Sequence, residues 1–258
     1  MKAHPTAIVH PQAQIACSVT VGPYSIIGEG VEIGDDTEVM SHVVIEGPTR
    51  IGKRNRIFHF AAVGFPCQDL KYKGEPTRLE VGDDNIIREY VTLHRGTVEG
   101  GGVTQIGKHN FLMAYVHIAH DCKLGDHIIM ANGASLAGHV EIGDHAIVGA
   151  FCGIHQFCRI GAFSFLGSYS VVNKDILPFA KTTAERPLGV YGANRLGLER
   201  RGLAKGEIDE LDRALRLLTR SKLNTTQALE AIEAEGFQSP HVQALVEFVK
   251  TSERGVAK

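Results

Sequence analysis

The sequence predicts an all-β solenoid plus α-structure: a parallel β-helix of hexapeptide repeats followed by a helical C-terminal domain. The first observation is a six-residue rhythm. Every sixth residue is aliphatic over positions 9–63, 81–93 and 106–172. The last run is Ile106, Leu112, Ile118, Leu124, Met130, Leu136, Ile142, Val148, Ile154, Ile160, Leu166 and Val172. At an apolar usage of about 40%, chance gives such a run with a probability on the order of one in sixty thousand. A period of six fits neither a helix nor an alternating strand; it is the mark of a β-helix. The second observation is the end of that rhythm near residue 175, beyond which apolar spacing turns helical.

Three hexapeptides make one triangular coil of eighteen residues, stacked on the next at roughly 4.8 Å. The aliphatic residue points inward. The residue two before it is often small, as at Ser25, Thr37, Ala61, Ala134, Ala146, Cys152, Cys158, Ser164 and Ser170. Gly often follows the aliphatic, as at Gly22, Gly34, Gly82, Gly107, Gly143 and Gly161. We expect that Gly to turn the chain with φ > 0. Two breaks in the rhythm predict loops leaving the prism, one at about residues 65–78 and one at about 95–105, the second with Gly100, Gly101 and Gly102. Loops on a rigid scaffold commonly carry function.

Pro178 and Pro187 bracket a connector. Beyond it come Ile208, Leu211, Leu215 and Leu218, then Ala228, Ala231 and Ile232, then Val242, Leu245, Val246 and Val249. Asn224 and Ser239-Pro240 read as helix starts. The expected domains are residues 1–188 (β-helix) and 189–258 (helical).

Composition narrows the function. The net charge of −2 over 258 residues predicts no nucleic-acid or membrane field. No apolar run approaches the length of a membrane span and no secretory leader is seen, so a cytoplasmic protein without stable membrane insertion is expected. Five Cys (17, 67, 122, 152, 158) form no CxxC pair, which argues against a disulfide framework or zinc finger. A prism with flat faces suggests closed symmetric association, here a homotrimer with sites between neighbours.

Four of the 13 histidines fall at His117, His120, His139 and His155. On an eighteen-residue coil, His120, His139 and His155 line one edge about one coil apart, with Asp121 beside His120. Four on one edge point to chemistry.

The run Met113-Ala-Tyr-Val-His-Ile-Ala-His-Asp-Cys122 resembles the acyl-carrier-protein-dependent UDP-N-acetylglucosamine O-acyltransferases of lipid A biosynthesis. So do Ala131-Asn-Gly-Ala-Ser-Leu-Ala-Gly-His139, His155-Gln-Phe-Cys158, Asp69-Leu-Lys-Tyr-Lys-Gly-Glu-Pro-Thr-Arg78, Arg88-Glu-Tyr-Val-Thr-Leu-His-Arg-Gly-Thr97 and Arg200-Arg-Gly202. The resemblance covers nearly the whole chain. It implies a left-handed prism and transfer of a (3-hydroxy)acyl chain from acyl carrier protein to the sugar 3-hydroxyl, without covalent intermediate, cofactor or metal.

By the same resemblance His120 is the general base and the Gly138 N–H faces the oxyanion. Lys71, Gln68 and Asp69 hold the nucleotide-sugar, with His117, His139, His155 and Gln156 around the cleft. Asn194, Arg200 and Arg201 reach uridine or phosphate, for which paired Arg is suited. Phe165 and Ser168 occupy the acyl-length region. Alternation along a strand would turn Asp121 away from His120, so Asp121 is grouped with the substrate contacts. Residues 182–191 and the Asn194-Arg195-Leu196-Gly197 segment depart from the family's wording. Two other readings stay open: a 3-amino UDP-sugar acceptor giving an amide, and a three-histidine zinc site of the hexapeptide carbonic anhydrase kind.

Overall fold

A computed structural model of the chain describes residues 1–184 and 188–258. The backbone winds as a left-handed parallel β-helix whose three faces, A, B and C, are sheets of 11, 9 and 8 strands. Along uninterrupted coils a residue pairs with the one eighteen on, as in Lys123↔Glu141↔Arg159 on face C. Across the first loop the pairing becomes Ile57↔Ile87, and across the second Leu93↔Ile118. Both loops leave from the same corner, between a face B strand and the following face C strand (Ala62–Phe65 to Arg78–Val81, and Thr92–His94 to Val103–Ile106).

The aliphatic residues fill the prism. Ile106, Leu112, Ile118, Leu124, Met130 and Leu136 are all buried in one continuous cluster. Each such side chain contributes roughly 1.5–3 kcal/mol relative to an exposed one. The small interior position is buried as expected at Ser25, Ala134 and Cys152. In three coils it is Asn instead. Asn55 Oδ1 accepts the Asn85 N–H at 2.9 Å, Asn85 Oδ1 the Asn110 N–H at 2.9 Å, and Asn110 Oδ1 the Ile128 N–H at 2.7 Å.

The corners overturn one expectation. Of the glycines that follow an aliphatic, Gly64 has a positive φ, but Gly22, Gly34, Gly82, Gly107, Gly143 and Gly161 do not. The left-handed residue is the third after the aliphatic, and it is usually bulky: Tyr24, His42, Phe60, Tyr90, Tyr115, His139, Phe157 and others, with φ near +60°. Each such residue costs of order 1 kcal/mol or more. Stacking on the next coil offsets it: Phe60, Tyr90 and Tyr115 lie 5.1 and 4.9 Å apart in parallel planes. The glycines serve coil spacing instead. A Cβ on Gly82 would lie 2.6 Å from Gly107 O, and one on Gly161 2.3 Å from Pro178 N.

The outer faces differ. Face C carries Glu32, Arg50, Lys123, Glu141 and Arg159, paired across coils at 3.6–4.0 Å. Face A is apolar over its middle and upper coils (Ile86, Phe111, Ile129, Ile147, Phe165). Face B is aliphatic below (Ile8, Ile26, Val44) and again at its last strand (Val171), and polar between, where His117 and Ser135 project.

The expected boundary at 188/189 falls inside a paired hairpin. The strand Ala180–Thr182 pairs antiparallel with Val190–Ala193 and extends face A. Pro187, read as one end of the connector, lies outside the described residues. Four helices follow: α1 (Arg195–Glu199), α2 (Lys205–Thr219), α3 (Thr225–Glu235) and α4 (Pro240–Lys250). Asn224 and Gln227 exchange capping hydrogen bonds at 2.9 and 3.1 Å, and Ser239 with Pro240 starts α4. The helices share a second core with Leu177, Phe179 and Val190.

The last residues return to the prism. Asp175 N–H donates to Gly255 O, Ala257 N–H to Asp175 O (both 2.9 Å), and Ser252 Oγ to the buried Asp175 carboxylate at 2.7 Å. Among the described residues no helix is long and apolar enough to cross a membrane.

Candidate active site

His117 projects from face B on the strand His117–Ile118. His120 and Asp121 follow it into the B–C corner, where Asp121 takes the left-handed conformation (φ 60°). That conformation overturns the alternation argument, because the two residues lie in a turn and not along a strand. Their side chains meet: His120 Nδ1 is 2.8 Å from Asp121 Oδ2. A carboxylate only accepts, so Nδ1 carries a proton, and in a neutral ring Nε2 is the acceptor.

Asp121 is therefore not placed as a substrate contact. Its side chain is 1% exposed, behind His120. Oδ1 accepts the Thr97 N–H at 2.8 Å and Oδ2 the Thr97 hydroxyl at 2.6 Å. Burial alone would raise its pKa; the bonds from His120 and Thr97 outweigh burial and hold it below the usual carboxylate range.

Gly138 lies one coil above. A Cβ there would fall 2.4 Å from His120 Cε1 and 2.7 Å from Nε2, so glycine is what lets the imidazole occupy this position. The Gly138 carbonyl accepts from Phe157 N–H. Among the described residues no backbone carbonyl accepts the Gly138 N–H.

His139 occupies the next B–C corner position. Its ring stands perpendicular to His120 at 5.2 Å and parallel to Phe157 at 4.3 Å, with Nε2 3.7 Å from Asp121 Oδ2. Burial is the main cause lowering its pKa. His117 Nδ1 is 2.7 Å from Thr92 Oγ1. Burial, with His94 adding, pushes the His117 pKa down to about 4, so this ring is neutral near pH 7. His94 packs edge-on against it at 5.2 Å and ties to Pro66 O at 2.7 Å, joining the face to the first loop.

The loops close over this corner. Asp69 Oδ1 accepts the Lys71 N–H at 2.9 Å, and Lys71 Nζ lies 3.6 Å from Glu99 of the second loop. The result is an open cleft of about 830 Å³ that brings together Gln68, Asp69, Lys71, His117, His120, His139, His155 and Gln156, with Asn173 at its upper edge. His94, Thr97, Glu99 and Asn173 were not singled out in the sequence.

Five expected residues lie apart from this cleft. Phe165 is on face A and Ser168 at the A–B corner. Asn194 precedes α1, its side-chain amide donating to Phe163 O at 3.0 Å. Arg200 and Arg201 are exposed beyond α1, with the Arg201 guanidinium 6.0 Å over the Phe163 ring.

The ligand atoms of His120, Asp121 and His139 lie within 4.8 Å of one another, close enough to be considered for a metal. Asp121 Oδ2 is already held by the Thr97 hydroxyl and His120 Nδ1, so an ion would have to displace both. The donor set fits an oriented imidazole better than a zinc site.

The chain is 50% identical to the acyl-[acyl-carrier-protein]–UDP-N-acetylglucosamine O-acyltransferase of Thermodesulfovibrio yellowstonii over 99% of this chain and 98% of that one. It belongs to the UDP-N-acetylglucosamine O-acyltransferase family. The family's second-domain model matches residues 175–257, and the bacterial transferase hexapeptide model matches residues 103–138 and 139–174. The family relative from Thiobacillus denitrificans is 51% identical, covering 99% of this chain and 98% of that one. The crystal structure of the Moraxella catarrhalis family member superposes with a TM-score of 0.95 at 43% identity, covering 100% of both chains.

Proposed function

We propose that the protein transfers a (3-hydroxy)acyl chain from acyl carrier protein to the 3-hydroxyl of UDP-N-acetylglucosamine, the first step of lipid A biosynthesis. The observation that carries this reading is His120, with Nδ1 committed to a buried carboxylate and Nε2, beside Gly138, without a hydrogen-bond partner among the described residues. Family membership supports the substrates.

In this mechanism the sugar 3-oxygen attacks the thioester carbonyl carbon while His120 Nε2 accepts its proton. Asp121 stabilises the resulting imidazolium. The tetrahedral oxyanion is met by the Gly138 N–H. Collapse breaks the C–S bond, and the leaving sulfur takes the proton from His120. No acyl-enzyme forms. Lys71, Gln68 and Asp69 orient the nucleotide-sugar; His117, neutral and donating from one nitrogen, lines its bed.

The same reading makes the protein a cytoplasmic homotrimer. Three prisms close around an axis when the apolar face A of each packs on face B of the next, leaving the charged face C to solvent. The A–B corner then points to the axis, which accounts for its exposed aromatic ridge of Tyr24, Phe60, Tyr90, Tyr115, Phe151 and Tyr169. Phe165 is brought to the neighbour's His120 cleft, and Arg200 and Arg201 to its rim.

The test is an acyl-transfer assay with a panel of acyl-carrier-protein thioesters against UDP-N-acetylglucosamine and its 3-amino analogue. Ester formation is expected. Amide formation alone would replace the acceptor, and no transfer with any pair would reject the activity.

A further inference from the structure

The corner between faces C and A carries a column of rings that this mechanism does not use. His109, His127 and His145 occupy the left-handed position of successive coils. Their rings stack at 4.7 Å, with interplanar angles of 7° and 10°. Phe163 continues the column at 4.8 Å and Phe179 at 5.6 Å. At its upper end lie Asn194 and Arg201, both against Phe163. His109 and His127 are exposed and His145 is half-buried. The Nδ1 of His145 is buried without a partner among the described residues. Parallel stacked rings aim their nitrogens side by side, so the column suits a row of contacts along an extended anion better than a chelated ion.

The charged groups facing the column are largely engaged. Asp126 Oδ1 accepts the Lys108 N–H at 2.6 Å and Asp144 Oδ1 the Asp126 N–H at 2.8 Å. Asp83 pairs with Lys108, and Asp84 is held by Arg54 and lies 4.0 Å from His109 Nε2. From the helical side Arg201 faces His145, and His241 of α4 packs edge-on against Phe179 at 5.4 Å with Glu207 3.8 Å away.

With face A packed on the neighbour's face B, the C–A corner of one protomer stands beside the B–C corner of the next. A three-fold rotation moves nothing along its axis. His127 follows His120 by seven residues, and His145 follows His139 by six. At eighteen residues and about 4.8 Å per coil, each pair differs in height by no more than about 2 Å. The column therefore faces the neighbour's catalytic corner across the mouth of the cleft.

We propose that His127 and His145 of one protomer, together with Arg201, hold the diphosphate of the nucleotide-sugar bound in the neighbour's cleft. The proposal rests on the shared-site reading above. Its chemistry has a signature. A neutral imidazole donates one N–H; an imidazolium donates two and adds charge, so a bound diphosphate favours the protonated form. Binding takes up protons, and acceptor affinity rises as pH falls through the imidazole range. In the free protein burial, then Arg201 and His127, lowers the His145 pKa, which leaves room for uptake. Two imidazolium rings in contact repel, so stacked rings do not all charge together.

The experiment is calorimetry of UDP-N-acetylglucosamine binding to the full chain between pH 6 and 8, in buffers of different ionisation heat. The wild type is expected to take up a measurable fraction of a proton. His127→Gln and His145→Phe, the latter continuing the Phe163 stack, should each at least halve that uptake and weaken binding several-fold at pH 6.5, less at pH 8. Thermal melts and sedimentation establish that the variants keep fold and trimer, and His145→Gln replaces His145→Phe if the latter does not. Unchanged uptake and affinity in folded variants would overturn the proposal alone. Absence of binding in the wild type, or full affinity in a monomer, would overturn the shared-site reading and the proposal with it.

Discussion

Thr97 holds Asp121 twice, by its backbone N–H at 2.8 Å and by its hydroxyl at 2.6 Å, across 24 residues of sequence. The second loop is thereby latched to the corner behind the general base. Gly100 permits the close approach, since a Cβ there would lie 2.0 Å from Asp121 Cγ. The loop and the imidazole share one carboxylate, so what disturbs the latch should be felt in turnover.

Asp121→Asn tests this directly. The amide keeps the shape but removes the charge that favours imidazolium. Turnover should fall by between about 10-fold and the roughly 10⁴-fold seen when a triad carboxylate becomes an amide, with acceptor KM nearly unchanged. A rise in KM at full kcat would return Asp121 to the role of a substrate contact.

For His120→Ala, kcat should drop by about 10²–10⁴-fold, the range of a positioned proton acceptor. His120→Gln, which cannot take the proton, should fare no better. Calorimetric binding of UDP-N-acetylglucosamine should persist in both. Retention of more than about a tenth of the activity would make His120 a wall of the cleft and no more.

Gly138→Ala keeps the N–H but adds a methyl where the His120 ring lies. The ring must move, so kcat should fall by at least about 10²-fold while the thermal transition shifts by only a few degrees. Wild-type kinetics in this variant would contradict the geometry.

Lys71 is exposed, opposite Glu99. Lys71→Ala should raise the acceptor KM more than it lowers kcat, the pattern of lost uniform binding. Equal kcat loss at constant KM would put the ammonium in the chemical step.

The depressed His117 pKa has a consequence for stability. The ring titrates near 6.5 when unfolded and at about 4 in the fold. The unfolded chain therefore binds more protons between these values. The contribution is complete above about pH 6.5 and is lost as pH falls toward 4. His117→Gln should flatten the fall in melting temperature over that window; an equally steep fall would assign it to other groups.

The interior was legible because burial repeats strictly: Ile106, Leu112 and Ile118 follow from spacing alone. The corners were not. A left-handed Tyr115 or Phe157 contradicts local preference and is made tolerable by a ring in the adjacent coil, a contact eighteen or more residues away. The same gap hid the His120–Asp121 pair, which strand alternation forbids and the turn at Asp121 allows. The cleft residues of the first loop were legible through motif wording, whereas Glu99 of the second was not, and Thr97 and His94 act through partners that no spacing rule reaches.

The return of the C-terminal residues onto Asp175 gives the solenoid a direction. Coils in such an array hold only their nearest neighbours, so opening starts wherever a terminal coil has the weakest hold. At one end Ser252, Gly255 and Ala257 fasten the final coil; at the other, the inward-pointing Val9 and Ile15 are only half-covered. Amide protons should exchange first around residues 2–15 and last near Met130 and Leu136. Thermal fraying then travels toward the catalytic corner from one side only, with some five coils to unzip before it reaches His120.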